Sequence, residues 1–338
     1  MTLPLRIHAT THVGHHHPRN EDAHAVVPLD QGRAVLLAVC DGMGGMGRGD
    51  EASRIALESI QASMSAGGGG LPPDRMRDAL RKADLDVRQA LCTGIDGMPG
   101  STAVLVYVAD GAAHVAWVGD SRAYLVRDGR IVDRTRDHKL VEELVDAGQI
   151  THDEAKVSAF AHVVTRALGG RPIHEPQVHP GKLGYPWHLH TGDRILVCTD
   201  GITDLVDDPE LPALLASEAP SEAAHALVQT ALDRGGHDNI TCIVAAWDGP
   251  SSEEDEGRVV PIDTAGGSLP PRDEDPAEVT FDGIFAPGRL TADIDRDELR
   301  ESAEPTARPG VDRKWILVTI GLCAVLLLLA LWQLTRPS

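Results

Sequence analysis

Aromatic side chains are scarce in this chain, with three Phe, three Tyr and five Trp among 338 residues. So few rings exclude a stacking platform for single-stranded nucleic acid, which needs a succession of aromatic faces. Basic residues are also in deficit: 31 Lys and Arg stand against 51 Asp and Glu, a formal net charge of −20. A phosphate-backbone binder needs the opposite balance, so no nucleic-acid partner is expected. The five cysteines, Cys40, Cys92, Cys198, Cys242 and Cys323, are odd in number and nowhere spaced as C-x-x-C. Neither a disulfide framework nor a zinc knuckle is indicated, and reduced thiols fit better. Internal repeats are missing, and MTLPLRIHATTHVG lacks the charged-then-apolar plan of a secretory signal. The body of the protein is therefore expected to stay in the compartment where it is made.

What is present is enough apolar sequence for a sizeable core, since apolar residues make up 42% and charged ones 24%, near the globular average. One segment departs from that average. Trp315 to Leu334 carries no charge and has Trp near both borders; as a helix it would be about 30 Å long, the thickness of a bilayer core. A transmembrane helix over 314–335 with a short tail at 336–338 is expected, a single-pass tail anchor. Arg313 and Lys314 ahead of it against Arg336 behind favour a cytoplasmic body at the inner membrane. Residues 249–313 are rich in Pro, Gly and acids and carry about half of the net charge. Such a stretch buries too little to fold alone and reads as a disordered linker.

Residues 1–248 read as one catalytic domain with alternating blocks of strands and helices. Apolar, β-rich runs at 34–40, 102–109, 112–119, 194–199 and 240–247 predict strands. Asp128-Gly129 between two short runs in 122–132 predicts a hairpin. Helical spacing appears in Ala52, Ile55, Ala56, Ser59 and Ile60, and again in Met76, Leu80, Ala83, Val87, Ala90 and Leu91. Strands that follow strands and helices in consecutive pairs point to an α+β fold: a central antiparallel β-sandwich flanked by pairs of helices in α-β-β-α layers.

Four acidic positions stand where an apolar strand stops or starts: Asp41 before Gly42, Asp120 before Ser121, Asp200 before Gly201, and Asp238 before Asn239. Any one Asp-Gly reads most simply as a turn. Together they say more, because in an antiparallel sheet the exit of one strand and the entry of its neighbour share an edge. Carboxylates gathered there repel unless a cation neutralises them, and hard oxygen ligands suit Mg or Mn rather than zinc. His15, His16 and His17 are consecutive and badly spaced to chelate one ion. Cys40, Cys198 and Cys242 beside the acidic positions read as small packing residues.

At this point the sequence resembles the metal-dependent Ser/Thr protein phosphatases of the type 2C kind, bacterial type. The matching strings are NEDA (20–23), DGMGGMGRGDEAS (41–53), GSTAV (100–104), GDSRAYLVRDG (119–129), DHKLVEELVDAGQIT (137–151), TRALG (165–169), CTDGITD (198–204) and GGHDNITCIV (235–244). The resemblance implies a two-metal hydrolase in which Asp41, Asp200 and Asp238 act through water activated by two Mn or Mg ions, without a phospho-enzyme. It implies metal ligation by Glu21, Asp22, Asp41 and the Gly42 carbonyl, with Asp200 and Asp238 on the second ion; which of Glu21 and Asp22 ligates directly stays open. Asp120 with Asp200 would suit a third ion, and Asn239 would support the ligands from behind. The expected partners are phosphoserine and phosphothreonine proteins, among them a Ser/Thr kinase and its substrates. The alternative is a scaffold that binds phosphoproteins without hydrolysing them; such proteins usually lose metal carboxylates, and Asp41, Asp200 and Asp238 are all present.

Two departures from the family pattern stand out. Met46 occupies a position where bacterial relatives often carry His, just outside the ligands, and little effect is expected. His17 stands where the family usually has a phosphate-binding Arg, with Arg19 nearby as a substitute. Histidine is only partly charged at neutral pH and lacks the guanidinium fork. The segment 149–165, with His152, Asp153 and His162, leads in that family into a variable flap near the active site, and is expected to tune substrate choice or to be a solvated loop. Weak, pH-dependent phosphate binding follows from His17: His17→Arg should lower KM for a phosphopeptide and flatten its rise above neutral pH. An unchanged KM and pH profile would exclude this role.

Overall fold

The computed structural model describes residues 3–44, 47–67, 70–91, 99–169, 177–179 and 186–251. The chain divides into two units, Met1–Ala292 and Asp293–Ser338, and every described residue belongs to the first. The linker beyond residue 251, the expected transmembrane helix 314–335, the tail 336–338, Met46, Cys92 and Cys323 lie outside the described residues. Among the described residues, no helix is long and apolar enough to cross a membrane.

The chain opens with β1 (Leu5–His12), β2 (Asp22–Leu29) and β3 (Ala34–Met43), followed by two long helices, α1 (Gly49–Ser65) and α2 (Pro72–Leu91). The short β4 (Gly100–Ser101) then leads into β5 (Ala103–Ala109), β6 (Ala112–Val118), β7 (Arg122–Arg127) and β8 (Arg130–Arg134). Next come α3 (Leu140–Asp146), α4 (His152–Lys156), β9 (Leu168–Gly169), β10 (Gln177–His179), β11 (Trp187–His188) and β12 (Arg194–Cys198). The described part closes with α5 (Asp200–Thr203), α6 (Leu211–Leu214), α7 (Pro220–Asp233) and β13 (Ile240–Trp247).

Two antiparallel sheets result. One has the order β1-β13-β12-β7-β8; the other runs β10-β6-β5-β3-β4-β9, with β2 added to β3 and β11 to β6. The central strands carry nearly unbroken apolar runs because both of their faces are buried. Val35, Leu37, Val39, Val104, Val106 and Val108 meet Leu125, Ile195, Val197, Ile243 and Trp247 of the other sheet in one core. The alternate residues Leu36, Ala38, Cys40, Leu105 and Tyr107 pack on Ala56, Ile60, Met76, Leu80 and Val87 of α1 and α2. On the opposite outer face Leu196, Cys198, Cys242 and Val244 pack on Ala224, Leu227 and Ala231 of α7. A period of two along each strand thus feeds two separate cores.

This is the expected α-β-β-α layering, with one correction. The second helical layer is the single long α7 with the one-turn α5 and α6, not a second matched pair. The predicted strands are present, but β3 continues past residue 40 to Met43, and Thr102 falls between β4 and β5. The turn between β7 and β8 has positive φ at both Asp128 (49°) and Gly129 (70°), the geometry that a two-residue hairpin of matching twist requires. Strands β1 and β2, the helix α7 and the short elements have no counterpart in the sequence reading. Cys40, Cys198 and Cys242 are free and buried, and burial pushes the Cys242 thiol up to about 12, as packing residues require. A buried Arg127 holds Asp193 in a two-point bond at 2.8 and 2.9 Å and ties β7 to the entry of β12.

Candidate metal centre

Strand order brings the acidic positions to one edge. Since β5 is antiparallel to both β3 and β6, β3 and β6 run the same way and end together, which puts Asp41 and Asp120 at the same edge. Strand β2 starts where β3 ends, with Asp22 opposite Asp41 in register. In the other sheet β12 ends where β13 begins, Cys198 opposite Cys242, so Asp200 and Asp238 flank that edge. The two sheets meet across a hydrogen bond: Thr199 Oγ1 donates to Asp22 Oδ2 at 3.0 Å. The strand ends thus carry Asp22, Asp41, Asp120, Asp200 and Asp238 toward one edge, with Asp41 inside its strand and not after it.

The backbone around Asp41 is held tightly. Its N–H donates to Thr102 Oγ1 at 3.0 Å, its carbonyl accepts from the Thr102 N–H at 2.8 Å, and Thr102 Oγ1 lies 2.7 Å from Ser121 Oγ. Glycine is required beside it. A Cβ on Gly42 would lie 2.0 Å from the Gly49 carbonyl oxygen, and one on Gly49 would lie 2.2 Å from Glu21 Oε2 and 2.6 Å from the Gly42 carbonyl oxygen. The Glu21 carboxylate and the Gly42 carbonyl therefore converge on the space beside Gly49 that a side chain would fill. Gly201 is equally constrained, since a Cβ there would lie 2.0 Å from the Asn239 carbonyl oxygen.

Asn239 is the fastener of the entry loop. Its Oδ1 accepts from the Glu21 N–H at 2.6 Å, and its Nδ2 donates to the carbonyls of Val13 at 2.8 Å and Arg19 at 3.1 Å. One buried amide thereby fixes both ends of the His-rich loop and the position of Glu21. His17 and Arg19 lie at the exposed mouth. His17 Nε2 is 3.4 Å from Asp238 Oδ1, and Arg19 Nη1 is 3.9 Å from Asp50 Oδ2. The two basic groups are thus separated, one toward Asp238 and the other toward the start of α1.

Electrostatics make the cluster demanding. Burial raises the Asp41 carboxyl well above the ordinary range, and the charges of Asp22, Asp200, Asp120 and Asp238 raise it further. Asp200 is raised in the same way, by burial and then by Asp120 and Asp204. Asp22 goes up to about 7 through burial, reinforced by Asp238 and Glu21 and opposed by the hydroxyls of Thr241 and Thr199. Burial also raises Glu21, with Asp50 adding to it. Two oxygens in this cluster, Asp22 Oδ1 and Asp200 Oδ1, are buried without a hydrogen-bond partner. Buried polar atoms are nearly always satisfied, and carboxylate oxygens in this condition are what a hard divalent cation satisfies. Among the described residues, no group of three or more His, Cys, Asp or Glu side chains is spaced to hold one metal ion as it stands; the carboxylates repel one another. The unpartnered oxygens of Asp22 and Asp200, and the Glu21 carboxylate and Gly42 carbonyl beside Gly49, are hard oxygen donors of the kind such ions take.

Several residues of the centre escape the sequence reading. Lys139 Nζ lies 3.0 Å from Asp120 Oδ2, Asp204 faces both Lys139 and His162, and Thr102, Thr199 and Gly49 shape the ligand backbone. Lys139 and Asp204 lie inside matched strings, DHKLV and CTDGITD, but nothing local in those strings marks that the two face each other.

Comparison with known proteins agrees with this geometry. Residues 6–240 match the protein phosphatase 2C family. The chain is 31% identical over 339 residues to the serine/threonine protein phosphatase PstP of Mycobacterium tuberculosis, a match that covers 97% of this chain and 60% of PstP. It is 31% identical over 240 residues to the serine/threonine phosphatase stp of Listeria monocytogenes, covering 69% of this chain and 91% of that protein. Among solved structures it is similar to the catalytic domain of PstP in complex with two manganese ions, with a TM-score of 0.61 and 31% identity over 72% of this chain and 97% of that one. The chain thus spans about 60% of the length of the mycobacterial relative.

The buried carboxylates predict how stability responds to pH in EDTA. Asp41, Asp200 and Asp22 bind protons more tightly in the folded than in the unfolded chain. Folded protein therefore holds the extra protons above about pH 4, and stability falls as pH rises toward about 7, where Asp22 ionises. Added Mn should reverse the trend, because it binds the ionised form. At a hundredfold excess over Kd it adds about 2.7 kcal/mol, which is about 5–10 °C in Tm for a domain of this size. Thermal scans in EDTA and in Mn between pH 5 and 8 check this; a Mn shift that does not grow with pH would contradict it.

Proposed function

The chain belongs to the protein phosphatase 2C family, and from that membership we propose that it hydrolyses phosphoserine and phosphothreonine on proteins with the help of two Mn or Mg ions. The observation that carries this reading is the convergence of Asp22, Asp41, Asp200 and Asp238 from two sheets, with buried carboxylate oxygens that lack any donor. A non-hydrolysing scaffold has no use for so costly a cluster, since each buried like charge raises the others.

In this reading Asp41 would serve both ions, Glu21, Asp22 and the Gly42 carbonyl would help hold one, and Asp200 and Asp238 would help hold the other. When bound, the ions supply Lewis-acid activation of water and neutralise charge on the phosphoryl oxygens and the departing alkoxide. The remaining work belongs to the protein. Thr199 orients Asp22, Thr102 holds the Asp41 backbone, and Asn239 keeps the Arg19–Glu21 strand entry in place. Arg19, exposed near Asp50, and His17, beside Asp238, are the basic side chains placed to receive the phosphate. Phosphorylated proteins, among them a Ser/Thr kinase and its substrates, are the proposed partners.

The anchor and linker extend the reading. Uncharged residues 315–334 are long enough to span a bilayer as a helix, and the acidic stretch before them is a tether of about 60 residues with a mean span on the order of 45 Å. The catalytic domain would then patrol the cytoplasmic face of the inner membrane.

Two experiments test these points. Full-length protein in detergent should release phosphate from a phosphothreonine peptide in Mn or Mg and not in EDTA. Asp41→Asn and Asp238→Asn should each cost more than about 100-fold in kcat/KM, since even groups behind metal ligands cost 10–100-fold. A folded, Mn-loaded wild type without turnover would favour the scaffold. In cells the full chain should stay in the membrane pellet after carbonate extraction, and a chain ending at residue 313 should not; release of both would remove the anchor.

A further inference from the structure

Lys139 is a buried cation at the rim of the metal centre, and its surroundings are unusual for a lysine. Its ammonium lies 3.0 Å from Asp120 Oδ2, 3.7 Å from Asp204 Oδ1 and 3.8 Å from Asp137 Oδ2. The side chains of Lys139 and Asp120 are only 7% and 3% exposed. Asp137 already has a partner of its own, the two-point bond from Arg122 at 2.7 and 2.8 Å. The lysine charge is therefore directed at Asp120 and Asp204. Its backbone is also fixed: Lys139 bridges to Val164, and the Leu140 N–H donates to the Val163 carbonyl at 2.9 Å. Burial works against the ammonium, but Asp120, Asp137, Asp204 and Asp200 outweigh it and hold its pKa above the ordinary lysine value.

These residues do not fit a third divalent ion. An ion at Asp120 and Asp200 would have to approach a fixed ammonium that already occupies one Asp120 oxygen, and in a partly buried site that repulsion is only weakly screened. We propose that Lys139 is a tethered cation, seated on Asp120 and Asp204, that takes the place of the third metal ion expected at Asp120 and Asp200, so that the chain binds two divalent ions and no more. The inference rests on the two-metal phosphatase reading and refines its metal count. It also assigns Asp120 a different role from the one that the sequence implied: an anion that seats Lys139.

The test counts Mn ions on the full-length protein in detergent, by isothermal titration calorimetry and by manganese electron paramagnetic resonance of the free ion, without reference to turnover. Wild type and Lys139→Arg should each bind two Mn. Lys139→Met, close in shape but uncharged, should gain a third Mn at least about tenfold tighter than any further binding by wild type. In wild type, Asp120→Asn should leave the count at two. A third Mn on wild type that Asp120→Asn removes would overturn the proposal, as would a folded Lys139→Met that still binds two. Should Lys139→Met fail to fold, the wild-type count with and without Asp120→Asn decides. Binding of no Mn at all would overturn the two-metal reading itself and this inference with it.

Discussion

The structure depends on like charges held together at a partly buried sheet edge. Asp22, Asp41 and Asp200 sit where burial alone disfavours their ionised forms, and each raises the others. No hydrophobic gain comes from placing them there, and mutual repulsion in a medium of low dielectric is far stronger than in water. The arrangement persists because the surrounding sandwich is strong enough to impose it. Two sheets with apolar cores on both faces fix the strand ends, and the carboxylates ride on those ends.

The fold answers the repulsion in two ways. At one side it leaves oxygens of Asp22 and Asp200 without donors, a deficiency that a divalent ion corrects. At the other side it supplies its own cations: Arg122 against Asp137 and Lys139 against Asp120. Burial still raises Asp120, whereas the two-point bond from Arg122 outweighs burial and lowers Asp137. The acidic edge is thus graded from carboxylate oxygens without a donor to carboxylates already paired. Neutral hydrogen bonds do the remaining positioning, with Thr102, Thr199 and Asn239 acting on backbone and carboxylate groups rather than adding charge.

How much of this was legible in the sequence follows from the physics of each signal. Strands at 34–40, 112–119 and 240–247 were visible because burial on both faces makes a strand a continuous apolar run. Strands β1 and β2 were not, because LRIHATTH and DAHAVVPL mix polar and half-buried positions at the sheet margins. Helix α7 was missed because Ala dominates its buried face and gives a weak apolar stripe. Asp41, Asp120, Asp200 and Asp238 were visible through their place at strand ends. The partners of those residues were harder: Asn239 is 218 residues from the Glu21 N–H that it accepts from, and Thr199 is 177 from Asp22. Nothing local in the chain links such pairs.

The sequence alone determined the layered α+β class, the kind of residues at the centre and the hard-cation chemistry they suit, because hydrophobic period and residue type are local properties. Tertiary structure decided which carboxylates share an edge, that Glu21 and the Gly42 carbonyl converge on the space beside Gly49, and that Lys139 faces Asp120. Those outcomes depend on the order in which strands pair and the register at which they meet. Coulomb energy depends on distance through space, and only the folded chain sets that distance.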